Sequence, residues 1–165
     1  MAVADYFLKL EGIKGESSDS KHKDEIEIES FSWGATNSGS FAHAPGAGGG
    51  TGKVSFQDIH LTKVVDKASV DLLLFCASGK HLKEANLTVR KAGEDQQEYY
   101  KVKLTDVLIS SYQSGGSGGG SNLIPTDQFS LNFAKIEFSY SPQDAKGKLA
   151  SPSRSGWDLK ANKKV

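Results

Sequence analysis

Residues 128–141 read QFSLNFAKIEFSYS, and their apolar side chains recur at every second position. Phe129 and Phe133 share one parity, and Ile136 and Phe138 share the other. A period of two is typical of a β-strand, because successive side chains point to opposite faces of the sheet. The same alternation occurs in five other segments: residues 6–13, 25–34, 54–65, 85–90 and 98–110. The sequence therefore predicts a mainly β protein.

A different pattern marks residues 69–78, which read SVDLLLFCAS and are followed by Gly79. Ser69 has the side chain of a good helix N-cap, and glycine suits the left-handed position after the last turn. We predict one helix, from Val70 to Ser78. Helical spacing assigns its core stripe to four residues: Val70, Leu73, Leu74 and Ala77. Other apolar residues lie around the helix, so we expect it to be covered on more than one side.

A length of 165 residues favours a single domain that spans residues 1–165. Two low-complexity stretches, PGAGGGTG at 45–52 and SGGSGGGS at 114–121, are typical of exposed loops. We expect three irregular segments: an extended glycine-rich loop at 37–53, a Gly/Ser-rich loop at 113–122 and a flexible tail at 158–165.

The composition argues against several classes of protein. The 20 Lys and Arg residues balance the 20 Asp and Glu residues, so the chain lacks the net positive charge that attracts nucleic acid. No apolar run is long enough to span a membrane, and the first ten residues, MAVADYFLKL, lack the pattern of a secretory signal peptide. We expect a protein that is cytoplasmic when made, with no nucleic-acid partner and no membrane insertion.

The parity of the apolar positions changes midway along four of the predicted strands. In one of them, Ile26 and Ile28 are followed by Phe31 and Trp33. Either a β-bulge keeps a single face inward, or each strand turns its second half toward a neighbouring subunit. We favour the second interpretation, because a single helix covers little of the outside of a barrel. It gives six candidates for a subunit interface: Phe31, Trp33, Ile59, Leu61, Val107 and Ile109.

Motifs for catalysis or cofactor binding are incomplete. Residues 47–54, AGGGTGKV, lack the first glycine and the final Ser or Thr of a phosphate-binding loop. Four histidines occur, none spaced as paired metal ligands on one element: His22, His43, His60 and His81. We interpret them as isolated surface residues. Asp58 and His60 are interpreted as a hydrogen-bonded structural pair, and Trp33 and Trp157 as packing anchors rather than a ligand platform. We expect no enzyme activity, catalytic residue, cofactor or metal.

Five segments are distinctive when they are taken together: VSFQDIHLTKVVDKAS at 54–69, ASGKH at 77–81, LTVRKAG at 87–93, LTDVLISSY at 104–112 and LNFAKIEFSY at 131–140. Together with Gly15, Glu16, Ser17 and Trp33 nearer the N-terminus, they resemble the haemolysin-coregulated protein (Hcp) family of bacterial type VI secretion. The resemblance extends over nearly the whole chain, with the segments in matching order.

This resemblance implies a single-domain β-barrel with one flanking helix, assembled as a homo-hexameric ring. Rings of the family stack on one another into a tube that sheath contraction expels, so export would need no signal peptide. The implied partners are contractile sheath proteins, a VgrG-type spike protein and small effector proteins bound in the ring lumen. The alternative is a soluble β-barrel binding module or chaperone that acts as a monomer or dimer.

The resemblance also assigns residues to contacts between rings and with cargo. The ring-stacking loop of the family corresponds to fifteen residues: Asn37, Ser38, Gly39, Ser40, Phe41, Ala42, His43, Ala44, Pro45, Gly46, Ala47, Gly48, Gly49, Gly50 and Thr51. Ser32, which lies between Phe31 and Trp33, is the position expected to face the lumen and to contact effectors.

Overall fold

The computed structural model describes residues 4–38, 53–91, 96–119 and 123–165. These residues form eleven strands and one helix, in the following order: β1 (Ala4–Leu10), β2 (Ile26–Ile28), β3 (Ser30–Ser32), β4 (Ala35–Asn37), β5 (Val54–Phe56), β6 (Ile59–Val64), α1 (Ala68–Ser78), β7 (His81–Lys91), β8 (Glu98–Gly115), β9 (Thr126–Tyr140), β10 (Ser153–Asp158) and β11 (Lys163–Lys164).

The sheet is built on the three long strands β7, β8 and β9, which pair as antiparallel neighbours. β1 and β2 extend it on one side of this centre, and β10 and β11 extend it on the other. One edge of β9 pairs with two different strands. Its first half pairs with β6, where Leu131 lies opposite Ile59, and its second half pairs with β10, where Ile136 lies opposite Trp157. The sheet therefore branches at β9, with β6 on one part of this edge and β10 followed by β11 on the other.

The consecutive strands β2 and β3 bring two edges of the sheet together. β2 pairs with β1, and β3 pairs with β6. Between them, the backbone amide of Glu29 donates a hydrogen bond to the carbonyl of Thr62 at 2.8 Å. The sheet curls around one apolar core, although its ladder is not closed as a continuous barrel. The predicted mainly β fold with one helix is confirmed.

Two of the four changes of parity coincide with irregular backbone. In β8 the change falls at Asp106, whose positive φ of 53° is rare for a residue other than glycine. Leu104 and Val107, on either side of it, are both buried in the same core. The change of parity after Ile28 coincides with the break between β2 and β3. In β8 the residues on both sides of the change are therefore covered within one chain, and our preference for a second half that faces a neighbouring subunit was wrong for this strand.

Four of the six interface candidates are corrected by this result. Ile59, Leu61, Val107 and Ile109 are each at most 1% exposed within one chain. Because these side chains are already covered by their own chain, a neighbouring subunit cannot cover them. The other two, Phe31 and Trp33, are half-buried, and their place in an interface stays a prediction.

The helix begins two residues earlier than predicted and buries a different face. The carboxylate of Asp66, not Ser69, accepts a hydrogen bond from the first helical amide, that of Ala68, at 2.9 Å. At the other end Gly79 adopts the predicted left-handed conformation, with a φ of 68°. The buried helical residues are Ala68, Ser69, Leu72 and Phe75. The predicted core stripe is wrong, because Val70, Leu73 and Leu74 are 73%, 55% and 57% exposed.

The predicted irregular segments are shorter than expected where the structure describes them. Gln113–Gly115 continue strand β8, and β11 folds back to pair with Trp157 and Asp158 where a flexible tail was expected. Asn37 ends β4, which pairs with β5 to form a separate two-stranded sheet. We call β4 and β5 the arm. Residues 39–52, and with them most of the predicted ring-stacking loop, lie outside the described residues, as do 120–122.

Candidate functional site

A cleft of about 660 Å³ lies between the arm and strands β9 and β10. Aromatic side chains from four strands or strand ends contribute much of its lining: Trp33, Phe56, Phe138 and Trp157. Lys53 and Asn162 also line it. We call this space the arm cleft. A pocket of this size and lining resembles the sites that bind small ligands or short peptide segments.

Packed aromatic rings hold two of the side chains that line the arm cleft, Trp33 and Phe138. Trp33 contacts Phe138 edge to face at 5.3 Å between ring centroids, and Phe138 packs on Tyr100 at 4.8 Å. The indole Nε1 of Trp33 donates a hydrogen bond to the hydroxyl of Tyr100 at 2.8 Å. Burial raises the pKa of Tyr100, so its phenol stays neutral at physiological pH. The predicted role of Trp33 as a packing anchor agrees with these contacts.

Trp157 differs from Trp33 in its hydrogen bonding. Its indole Nε1 is buried, yet within the described part of the chain it has no hydrogen-bond partner. Buried polar groups in native proteins nearly always have a partner, because an unpaired one loses its hydration without compensation. The side chain of Trp157 as a whole is only partly buried. Trp157, one of the residues that line the arm cleft, therefore carries a buried donor without a partner among the described residues.

Ser32 lies on β3, is exposed, and pairs through the backbone with His60. Neither the lumen nor an effector is part of a single chain, so its predicted contact with cargo stays a prediction. His60 and His81 are exposed, in agreement with the interpretation as surface residues. Asp58 accepts hydrogen bonds from Ser110 and Asn132, so the predicted pairing of Asp58 with His60 was wrong.

A buried cluster that the sequence analysis missed centres on Lys63, which is fully buried. Its ammonium donates to Asp127 Oδ2 at 2.8 Å, to Asp66 Oδ1 at 2.8 Å and to Ser69 Oγ at 2.9 Å. The hydroxyl of Tyr112 donates to the other carboxylate oxygen of Asp127 at 2.8 Å. Side chains from β6, β8, β9 and α1 therefore meet at one ion pair.

The charge on Asp127 is stabilised by these donors. Burial alone would raise its pKa, but hydrogen bonds from Lys63, Ser69 and Tyr112 outweigh burial and lower the pKa below its usual value. The signal for this cluster was present in the sequence. Lys63 has the parity of Ile59 and Leu61, so the alternation already places its side chain on the inward face.

A second cluster joins the segment after β1 to the outer face of the sheet. His22 is 7% exposed, so its interpretation as a surface residue was wrong. Its Nδ1 lies 2.8 Å from Glu25 Oε2, and its Nε2 lies 2.7 Å from Glu98 Oε1. Both ring nitrogens can donate only when the imidazole carries two protons. The ring also stacks on Phe7, with 4.4 Å between centroids.

Arg90 completes this second cluster. Its guanidinium lies over the ring of Phe7 at 4.7 Å and donates two hydrogen bonds to the carboxylate of Asp19. The hydrogen bond from Arg90 lowers the pKa of Asp19 from 3.8 to about 2. The pKa of Glu98 is also lowered: burial would raise it, but hydrogen bonds from Lys101 and His22 outweigh burial. These contacts hold an otherwise irregular segment against β7 and β8.

Neither cluster resembles a catalytic site that acts on a substrate, because each uses its polar atoms on internal partners. Among residues 4–38, 53–91, 96–119 and 123–165, no group of three or more His, Cys, Asp or Glu side chains is arranged to hold a metal ion. In the part of the chain that the structure describes, no helix has both the length and the apolar content needed to cross a membrane.

The curled sheet, the separate two-stranded arm and the single helix define a mainly β protein. A family model described as "Type VI secretion system effector, Hcp" matches residues 7–140. The chain is 47% identical over 164 residues to Protein hcp1 of Pseudomonas aeruginosa strain PAO1, and the match covers 98% of each chain. The chain belongs to the Hcp family of type VI secretion proteins.

Solved structures support the same assignment. A structure described as a type six secretion system protein superimposes with a TM-score of 0.91 at 34% identity, over 99% of this chain and 100% of the other. The crystal structure of Hcp1 from Salmonella typhimurium superimposes with a TM-score of 0.77 at 33% identity, over 100% of both chains. The Hcp family consists of secreted tube proteins, and this chain shares their fold over its length.

We predict that Lys63→Met lowers the free energy of unfolding by about 3–5 kcal/mol, because it leaves the buried carboxylate of Asp127 without its charged partner. Chemical denaturation measures the change. The control is Lys103→Met, which removes an exposed lysine 3.8 Å from Glu84 and should cost about 1 kcal/mol or less. Adding Asp127→Leu to Lys63→Met should restore part of the loss. Equal losses in both single variants would contradict the prediction.

We also predict a stability change in acid that depends on Asp19. Its pKa is about 2 in the folded chain and 3.8 in the reference state. The pairing with Arg90 therefore contributes stability above about pH 4, and the contribution is lost as the pH falls toward 2, since the unfolded chain takes up the proton first. Urea unfolding between pH 2 and pH 5 should show a shallower decline for Asp19→Asn. An unchanged slope would refute this role.

Proposed function

We propose that this chain is the structural subunit of the type VI secretion tube. Six copies form a ring, rings stack into the tube, and contraction of the sheath expels the tube. The ring also carries small effector proteins in its lumen, and the tube meets a VgrG-type spike protein at its tip. The chain is made in the cytoplasm and leaves by this route without a signal peptide. Family membership over nearly the whole chain supports the proposal.

The observation that best supports the assembly into rings is a stripe of exposed apolar side chains on α1, which we call the apolar stripe. Val70, Leu73 and Leu74 are each more than half exposed. Residues three and four apart lie side by side on a helix, so the three form one continuous patch. Exposed apolar patches of this kind mark protein interfaces, because a partner removes them from water. A sister copy in the ring is the partner we assign to the stripe.

The arm supports the stacking of rings. β4 and β5 form a sheet of their own, and Asn37 and Val54 are opposite each other at its far end. A two-stranded ribbon can hold the segment that follows it away from the rest of the chain. We keep the predicted ring-stacking role for residues 37–51, of which Asn37 and Ser38 are described.

The ring can be tested with two matched charge substitutions. Leu73→Glu should leave the protomer folded and convert hexamers to smaller species, because a desolvated unpaired charge at an interface costs several kcal/mol. Ile109→Glu should instead unfold the protomer, since that side chain lies in the core. Light scattering after size exclusion gives the mass, and circular dichroism reports the fold.

Two results would oppose the ring. A wild-type chain with a monomeric or dimeric mass would favour a soluble β-barrel binding module, and a hexameric Leu73→Glu variant would show that the stripe is not the subunit interface.

The cargo role of Ser32 can be tested in rings of normal mass. Ser32→Gln enlarges an exposed side chain on β3 and should preserve the hexamer. We predict that it reduces by at least about fivefold the amount of a co-produced small effector that copurifies with the ring, since a lost polar contact corresponds to about this change. The control is Ser151→Gln, which is exposed outside the strands. Equal recovery with both variants would remove Ser32 from the cargo surface.

A further inference from the structure

The arm cleft has the properties of a recognition site, and the proposed tube function assigns it no role. Both tryptophans of the chain line it, together with Phe56 and Phe138. Aromatic walls favour an aromatic or large apolar side chain, because rings stack edge to face or offset and exclude water. The volume of about 660 Å³ holds one or two side chains of an extended segment.

The unsatisfied indole of Trp157 adds a specific polar requirement. Its Nε1 is, among the described residues, a buried donor without an acceptor. The equivalent atom of Trp33 already donates to Tyr100. The side chain of Trp157 is partly exposed, so a ligand that accepts this hydrogen bond requires the ring to turn until its N–H meets a carbonyl or carboxylate oxygen.

The charge of the residues that line the cleft favours a ligand that carries a negative charge. Lys53 lines the cleft and is exposed, and Asn162 and Ser155 add polar groups to the lining. Among the described residues that line the cleft, none carries a carboxylate. The local field therefore favours an anionic group near Lys53.

We propose that the arm cleft binds an extended peptide segment of a partner protein that presents an aromatic side chain next to a carboxylate. The aromatic side chain packs among Trp33, Phe138 and Trp157. A backbone carbonyl of the segment accepts the hydrogen bond from Trp157 Nε1, and the carboxylate faces Lys53. The site is separate from Ser32, and its existence does not depend on ring formation.

The probe for this site is the blocked dipeptide N-acetyl-Phe-Asp-amide, titrated into the full-length protein. Calorimetry should give saturable binding, and the tryptophan emission should change with it, since both tryptophans line the cleft. Replacing Asp by Asn or Phe by Ala in the probe should each weaken binding about fivefold or more, as expected for the loss of one favourable contact.

Variants separate the polar contacts from packing. Trp157→Phe keeps an aromatic wall and removes the donor, so it should weaken the probe about fivefold without lowering the midpoint of urea unfolding. Trp33→Phe, which breaks the bond to Tyr100, should lower that midpoint. Lys53→Gln should abolish the preference for Asp over Asn, whereas Lys101→Gln, outside the cleft, should keep it.

Several outcomes would overturn the proposal. These are the absence of saturable binding, equal binding by Trp157→Phe and wild type, and a fall in the unfolding midpoint of Trp157→Phe as large as that of Trp33→Phe. Binding that occurs in monomer fractions but not in hexamer fractions would assign the cleft to a sister copy instead. A protein that forms no rings but binds the probe would reject the tube function and leave this site intact.

Discussion

The ion pair between Lys63 and Asp127 joins the start of α1 to three strands of the sheet, β6, β8 and β9. A buried ammonium is tolerated only when nearby acceptors replace its hydration, and Lys63 has two carboxylates and a hydroxyl within 2.9 Å. Ser69 and Asp66 belong to the first turn of α1 and the residues before it. The helix is therefore fixed to the sheet at its start by charge, before its apolar side chains are considered.

This attachment decides which face of α1 is buried. Once Ser69 points to Lys63, Leu72 and Phe75 follow at helical spacing on the same side and enter the core. The opposite face, with Val70 and Leu73, is left in solvent. A polar contact inside the protomer thus leaves exposed the apolar surface that we assign to assembly. The stability of the protomer and the association of protomers therefore depend on the same helix.

The alternation of apolar residues was sufficient to locate eight of the eleven described strands, in six segments, because the long strands of this sheet have one face in the core. It did not locate β4, β10 or β11, which are largely exposed and have little apolar alternation. The changes of parity were real, but the cause, such as the positive φ of Asp106, is a backbone property that side-chain pattern alone does not distinguish from a second interface.

The polar clusters were harder to predict than the core. Lys63 and Asp127 both lie at positions of their strands whose side chains point into the core. The alternation of apolar residues therefore predicts their burial if charged residues are also accepted at inward positions. His22 and Arg90 gave no such signal, because their partners Glu98 and Asp19 are more than 70 residues away in sequence. Likewise, the arm cleft joins strand ends that are distant in sequence.

Because β4 and β5 form a ladder of their own, the hydrogen bonds of the main sheet do not depend on how long that ladder is. Insertions or deletions between Asn37 and Val54 would therefore change the reach of the arm by about 3.3 Å for each residue added to both strands. The register between β3 and β6 would stay the same. A change in the length of the arm would in this way leave the core of the protomer unaltered.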